Sequence, residues 1–370
     1  MRVQRMLWLM LLAILTAIAV SQFADIKGST LSPLLAHTSA ALLRVEQAMP
    51  SAQQVLLASM PNPATKSEAK SEPILASKLE PKFDRVGKYA TTIPANGDRA
   101  DVYYPIATPS KPTQAIASNS KPTFPVALLL QGFNVEKSVY SKFATQIAKH
   151  GFVVVLPNHY TSVRGQRELF AQVGEVPDVL AYARAENQNP KSPLAGAIDV
   201  TKLVLIGHSH GGFIGMDAIR NACDPPWCVG TYSRPPELLA GVFYGSDLWY
   251  DGNFISIKND RIPIAFMVGS KDSLIADSAV KSTYDIVQTP PKAFVRVLGA
   301  NHYGIADRDN PSGSPKEKAR PEIDQEAAID TISRWAAAFL RAYATDDGVA
   351  MDYLKSGARS DRGVNVLWQG

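Results

Sequence analysis

Ser209 sits in Gly207-His208-Ser209-His210-Gly211-Gly212, between the apolar run Leu203-Val204-Leu205-Ile206 and the segment Phe213 to Arg220. The run reads as a strand buried on both faces, and the segment after it reads as a helix. A serine on a sharp strand-to-helix turn is a nucleophile in waiting, and flanking glycines answer the lack of room there. The bland alternative is a glycine-rich turn whose serine only caps the helix. A serine needs a base. Of the six histidines, His208 and His210 lie too near Ser209 to fold back as its base, and His37, His150 and His159 all precede the turn. His302, in Leu298-Gly299-Ala300-Asn301-His302, follows the last expected strand and is the candidate base. No third ligand accompanies His208 and His210 at metal-site spacing, so no metal and no cofactor is expected.

The imidazole needs an acid to fix its tautomer, placed after the serine and before the histidine in the chain. Asp272 ends Ile264-Ala265-Phe266-Met267-Val268-Gly269-Ser270-Lys271-Asp272, just past a buried strand; Asp277, Asp247 and Asp251 are its rivals. The anionic intermediate needs donors. The N–H of His210 is one, and the N–H of Phe133, in the loop after the strand 124–130, is the other. Phe133, Trp249, Tyr250 and Tyr303 lie in loops beyond the C-terminal ends of strands and are the expected substrate wall. No insertion between the strands at 239–244 and 264–268 is long enough for a lipase lid. An open apolar cleft suits esters of short to medium acyl length.

These parts need a scaffold. Strands are expected at 86–93, 99–104, 124–130, 151–157, 203–206, 239–244, 264–268 and 293–298, with helices at 140–150, 177–187, 213–220 and 323–343. Strands alternating with helices predict an α/β fold, a mostly parallel central sheet with helices on both faces. Residues 83–345 form this domain, and 346–370 read as a C-terminal tail. Residues 25–82 read as a poorly ordered leader, rich in Pro, Ser, Lys and Glu after Met60. Residues 1–24 read as an export signal: Arg2 and Arg5 precede a 15-residue run, Met6 to Val20, apolar except for Thr16. The run is short for a span of about 20 residues, so a cleaved signal and an N-terminal membrane anchor both stay open. A secreted or periplasmic chain with only two cysteines, Cys223 and Cys228, favours a disulfide between them. With a net charge of +4 and no basic stripe, nucleic-acid binding is not expected. A monomer acting on a small-molecule or lipid-like ester is.

Gln131-Gly132-Phe133, Tyr140-Ser141, Ile147 to Val155, the Gly207 to Gly212 turn and Gly269-Ser270-Lys271-Asp272-Ser273 resemble the chlorophyllase, platelet-activating-factor acetylhydrolase and dienelactone-hydrolase branch of α/β-hydrolases. Cutinase-like polyester hydrolases are similar over the same stretches. The resemblance implies a serine esterase without a metal and supports Ser209, Asp272 and His302 as its triad. Lipase, phospholipid acetylhydrolase and polyester hydrolase activities, or a silent binding scaffold, remain alternatives on the same fold. Two departures weaken a transfer of substrate from the chlorophyllases. Gln131 stands where many relatives have histidine, and His210 where chlorophyllases typically carry arginine.

Overall fold

The computed structural model describes residues 79–106, 122–163 and 165–370. The export-signal and most of the leader expectations fall outside these residues. Nine strands form one sheet in the order β1-β2-β4-β3-β7-β8-β11-β12-β13. They are β1 (Arg85–Thr92), β2 (Arg99–Ile106), β3 (Phe124–Leu130), β4 (Val153–Asn158), β7 (Ile198–His208), β8 (Leu238–Tyr244), β11 (Ile264–Gly269), β12 (Lys292–Val297) and β13 (Val364–Gln369). β4, β3, β7, β8, β11 and β12 run parallel, while β1, β2 and β13 join antiparallel at the two sides. Two short hairpins lie outside it: β5 (Tyr160–Val163) with β6 (Gln166–Leu169), and β9 (Trp249–Tyr250) with β10 (Asn253–Phe254).

The central strands are continuous apolar runs because both faces are covered. Ala127, Leu129, Val204, Ile206, Val242 and Met267 point into one core layer, with α1 (Ser141–Lys149) and α5 (Gln325–Ala344). Leu128, Leu130, Leu203, Leu205, Phe243 and Phe266 point into the other, with α2 (Glu175–Gln188), α3 (His210–Ile219) and α4 (Asp277–Asp285). Period-two alternation thus splits each strand between two apolar layers. This is the mostly parallel α/β architecture that the strand–helix alternation predicts, and the α/β-hydrolase fold that the resemblance implies.

The C-terminal segment differs from the expected tail. α6 (Gly348–Ser360) buries Ala350, Tyr353 and Leu354, and β13 pairs along the whole of β12. Val364, Val366 and Trp368 alternate with Asn365, Leu367 and Gln369, so one face of β13 joins the core. The order also begins earlier than Phe83: Leu79 is buried, and Arg341 donates to the Glu80 carbonyl. Among the described residues, no helix is long and apolar enough to cross a membrane.

Candidate active site

The C-terminal ends of β3, β7, β8, β11 and β12 converge, and each delivers one part of the site. β7 runs to His208 and α3 starts at His210, so Ser209 alone makes the turn. Its φ is +52° and ψ −122°, a conformation that non-glycine residues rarely hold. Such strain persists only where the surroundings enforce it. A β-carbon on Gly207 would lie 2.5 Å from the Cα of Gly212, and one on Gly211 would lie 2.2 Å from the Leu130 carbonyl oxygen. The first turn of α3 is therefore pressed against both its own strand and the end of β3. There Gln131-Gly132-Phe133 begins, beside the helix N-terminus and its positive dipole end.

Asp272 follows β11 and His302 follows β12. His302 Nδ1 is 2.9 Å from Asp272 Oδ2, and both side chains are buried. The other carboxylate oxygen, Oδ1, accepts N–H groups from Leu274 (3.0 Å) and Ile275 (2.8 Å). A carboxylate on Nδ1 fixes the proton there and leaves Nε2 as the basic nitrogen. The rival Asp277 is engaged elsewhere, accepting from Arg296 Nε at 2.7 Å.

Two contacts join this pair to the serine turn. The Ser209 N–H donates to the Tyr244 carbonyl at 2.9 Å. A β-carbon on the next residue, Gly245, would lie 3.0 Å from both Asp272 Oδ2 and His302 Nδ1. His208, one residue before the serine, packs its ring 4.8 Å from that of His302.

Aromatic rings extend from the turn in an unbroken series. Phe133 meets Phe170 at 6.1 Å, Phe170 meets His210 at 3.9 Å, and His210 stacks on Phe213 at 6.4 Å. Phe213 then meets Trp227 at 5.0 Å, and Trp227 meets Tyr250 at 4.8 Å. His210 Nε2 donates to the Ala171 carbonyl at 3.1 Å; burial, only partly offset by that bond, pulls its pKa down to about 4. It is thus a neutral ring at neutral pH. Phe133 and Tyr250 take part in the series, and Trp249 is 47% exposed. Tyr303 does not belong to the wall. At 1% exposure it lies beneath the site, edge-on to His302 at 5.1 Å, with its hydroxyl donating to the Pro315 carbonyl. Phe170, Phe213 and Trp227 were not expected at the site. Phe213 carried a signal, since position four of α3 faces whatever flanks the serine. Cys223 and Cys228 are joined as expected, closing the loop that presents Trp227.

A second cluster lies near the end of β4. Asp98, His159 and Glu175 bring one potential ligand atom each within 4.8 Å of one another, the one such grouping among the described residues. Two carboxylates and one imidazole are a donor set that a divalent metal could use. His159 Nδ1 already faces Asp98 Oδ2 at 2.7 Å, a distance suited to a shared proton.

The chlorophyllase family model matches residues 85–219. Chloroplastic chlorophyllase-1 of Citrus unshiu is 31% identical over 162 residues, 42% of this chain and 46% of that protein. Chlorophyllase-1 of Arabidopsis thaliana is 29% identical over 143 residues, covering 38% and 41% of the two chains, and chlorophyllase-2 of the same plant is 29% identical over 110 residues, 29% and 33%. The chain spans less than half the length of the curated relatives it matches. The matched stretch includes Phe133 and the Ser209 turn and stops short of Asp272 and His302. The chain is an α/β-hydrolase-fold protein similar to the chlorophyllases from β1 through α3.

Proposed function

We propose that this protein is an exported serine ester hydrolase working through an acyl-enzyme. Ser209 Oγ attacks the ester carbonyl carbon as His302 Nε2 takes its proton. The N–H groups of Phe133 and His210 stabilise the oxyanion, and Asp272 holds the imidazolium. His302 then gives the proton to the departing alcohol. Water repeats the sequence on the acyl-enzyme and releases the acid. The observation that carries this reading is the buried Asp272–His302 pair set against a serine held at positive φ.

The aromatic series from Phe133 to Tyr250 offers apolar surface with few charges, suited to an acyl chain or a flat ring. Efficiency is expected to peak at short to medium acyl length. The same aromatic surface, with the similarity to chlorophyllases, favours a chlorophyll-type ester as the second reading. A panel of p-nitrophenyl esters of rising chain length, with one chlorophyll-type ester alongside, decides between them. Labelling by a serine-directed phosphonate should fall on Ser209. Near-native turnover by Ser209→Ala would sink both readings. Loss of roughly the first 20–25 residues from the natural product, read by mass, tests export.

A further inference from the structure

Two side chains outside the proposed triad grip the main chain of His302, one at its N–H and one at its carbonyl. Glu317 belongs to the irregular segment 307–324 between β12 and α5, yet it is only 3% exposed. Every polar contact of its carboxylate is a donor. Oε2 accepts the N–H of Ser273 at 2.9 Å and the N–H of His302 at 3.4 Å. Oε1 accepts the N–H of Ala319 at 2.7 Å and the Ser273 hydroxyl. Its own N–H donates to Asn310 Oδ1 at 2.7 Å. One carboxylate thus ties the residue after Asp272 to His302 itself.

His208 takes the other side. Its Nε2 is 2.9 Å from the His302 carbonyl oxygen, so Nε2 must carry the proton and donate. Nδ1 is then an acceptor, and the Tyr140 hydroxyl donates to it at 2.9 Å. Tyr140 in turn accepts the Gly132 N–H at 3.0 Å. Burial, with His302 close by, holds the His208 pKa far below its usual range, so the ring keeps this single-proton state. The series Gly132, Tyr140, His208, His302 connects the loop of Phe133 to the serine turn and to the base.

We propose that Glu317 and His208 are positioning residues for His302. They fix its main chain so that Nδ1 meets Asp272 and Nε2 meets the serine. The proposal rests on His302 being the base. Misplacing a reacting group by about 1 Å can cost on the order of 100-fold in rate. A loosened His302 also weakens its bond to Asp272, which destabilises the imidazolium. The acidic limb of the pH–rate profile then moves to lower pH.

The test uses Glu317→Gln, Glu317→Asp and His208→Phe on the full chain. Active sites are counted by titration with a serine-directed phosphonate, so that unfolded material drops out of kcat. Glu317→Gln places an amide NH2 against donors. His208→Phe keeps a flat ring but makes neither hydrogen bond. Both should lower kcat per site about 10- to 100-fold, leave KM within about threefold, and shift the acidic limb of kcat/KM downward. Glu317→Asp keeps the carboxylate and should recover part of the loss. If one variant does not fold, the other two report the same quantities. Wild-type kcat per site and an unmoved acidic limb would overturn the proposal. Ser209→Ala, run in parallel, separates the two failures: activity in that variant removes the base assignment, whereas a silent Ser209→Ala beside a wild-type Glu317→Gln removes only the positioning role.

Discussion

Among the described residues, two carboxylate–histidine pairs share nearly the same geometry. Asp272 and His302 meet at 2.9 Å, and Asp98 and His159 at 2.7 Å. The distance does not distinguish them; the neighbours do. His159 has acceptors on both nitrogens, Asp98 Oδ2 on Nδ1 and Gln172 Oε1 at 3.3 Å on Nε2. An imidazole between two acceptors holds two protons. Burial opposes its charge, but the Asp98 hydrogen bond and the Glu175 and Asp98 carboxylates outweigh that and push its pKa up to about 9. His159 is therefore a fixed cation at neutral pH, clamping the β1–β2 turn to the end of β4 and to α2. His302 lies beside the serine turn instead. On the proposed mechanism the second nitrogen of His302 serves as the base, a role that His159, held between two acceptors, cannot fill.

The largest effect should separate the pairs outright. On the proposed mechanism, His302→Ala should lower kcat about a thousandfold or more, and Asp272→Asn should approach that loss because the wrong tautomer is then favoured. His159→Ala should keep kcat within about tenfold. Steady-state kinetics on the preferred ester tests this, and equal losses from His159→Ala and His302→Ala would erase the distinction.

Chain order already separated these histidines in the sequence, because His159 precedes the serine and His302 follows the last parallel strand. The central strands were legible for a physical reason: double-sided burial writes an uninterrupted apolar run, as in Val126 to Leu130 and Leu203 to Ile206. β13 was not, since its alternating Val364, Val366 and Trp368 only make sense once β12 lies beside them. The pair Asp272–His302 was readable by order, whereas Glu317 and Phe170 were not. Their partners lie across the fold, and nothing local in the sequence marks a glutamate in a loop as buried. His208 carried a usable signal. A polar residue at the buried end of a strand must find partners, and it finds Tyr140 and His302.

The second effect concerns stability against pH. A histidine raised from 6.5 to about 9 by folding contributes stability that is fully present below pH 6.5 and is lost as pH rises through 9. Glu175, raised by burial to about 8, acts in the same direction: its folded form also binds the extra proton and loses that advantage as pH rises. Thermal melts from pH 6.5 to 9.5 should show a decline of at least about 3 kcal/mol, reduced in His159→Gln. Asp272→Asn should retain the decline. A slope unchanged in His159→Gln would mean that the second pair holds no extra proton.

A smaller effect tests a residue that joins His159 to the serine turn. Phe170 donates its N–H to the His159 carbonyl at 3.0 Å and lays its ring 3.9 Å from His210. Phe170→Ala removes the ring that joins Phe133 to His210 in the aromatic series while leaving both pairs intact. It should lower kcat/KM about tenfold, mostly through KM, and flatten the preference for acyl length. A chain-length panel identical to wild type would place the substrate elsewhere.

The smallest effect belongs to Gln131, the residue that links the second pair to the loop of Phe133. Its Nε2 donates to the His159 carbonyl at 3.1 Å, while its Oε1 is buried without a hydrogen-bond partner. The two halves of this amide pull in opposite directions. Losing the donor removes a bond with a net value of about 1 kcal/mol, and losing the orphan acceptor removes a desolvation cost of about the same size. Gln131→Met nearly preserves volume, so packing adds little. The melting free energy should therefore change by less than about 1 kcal/mol, and kcat should stay within about threefold. Chemical denaturation and steady-state kinetics measure the two quantities on the same preparation. A large loss of kcat with unchanged stability would show that the second pair reaches the reacting atoms through Gln131. The two carboxylate–histidine pairs would then be parts of one site.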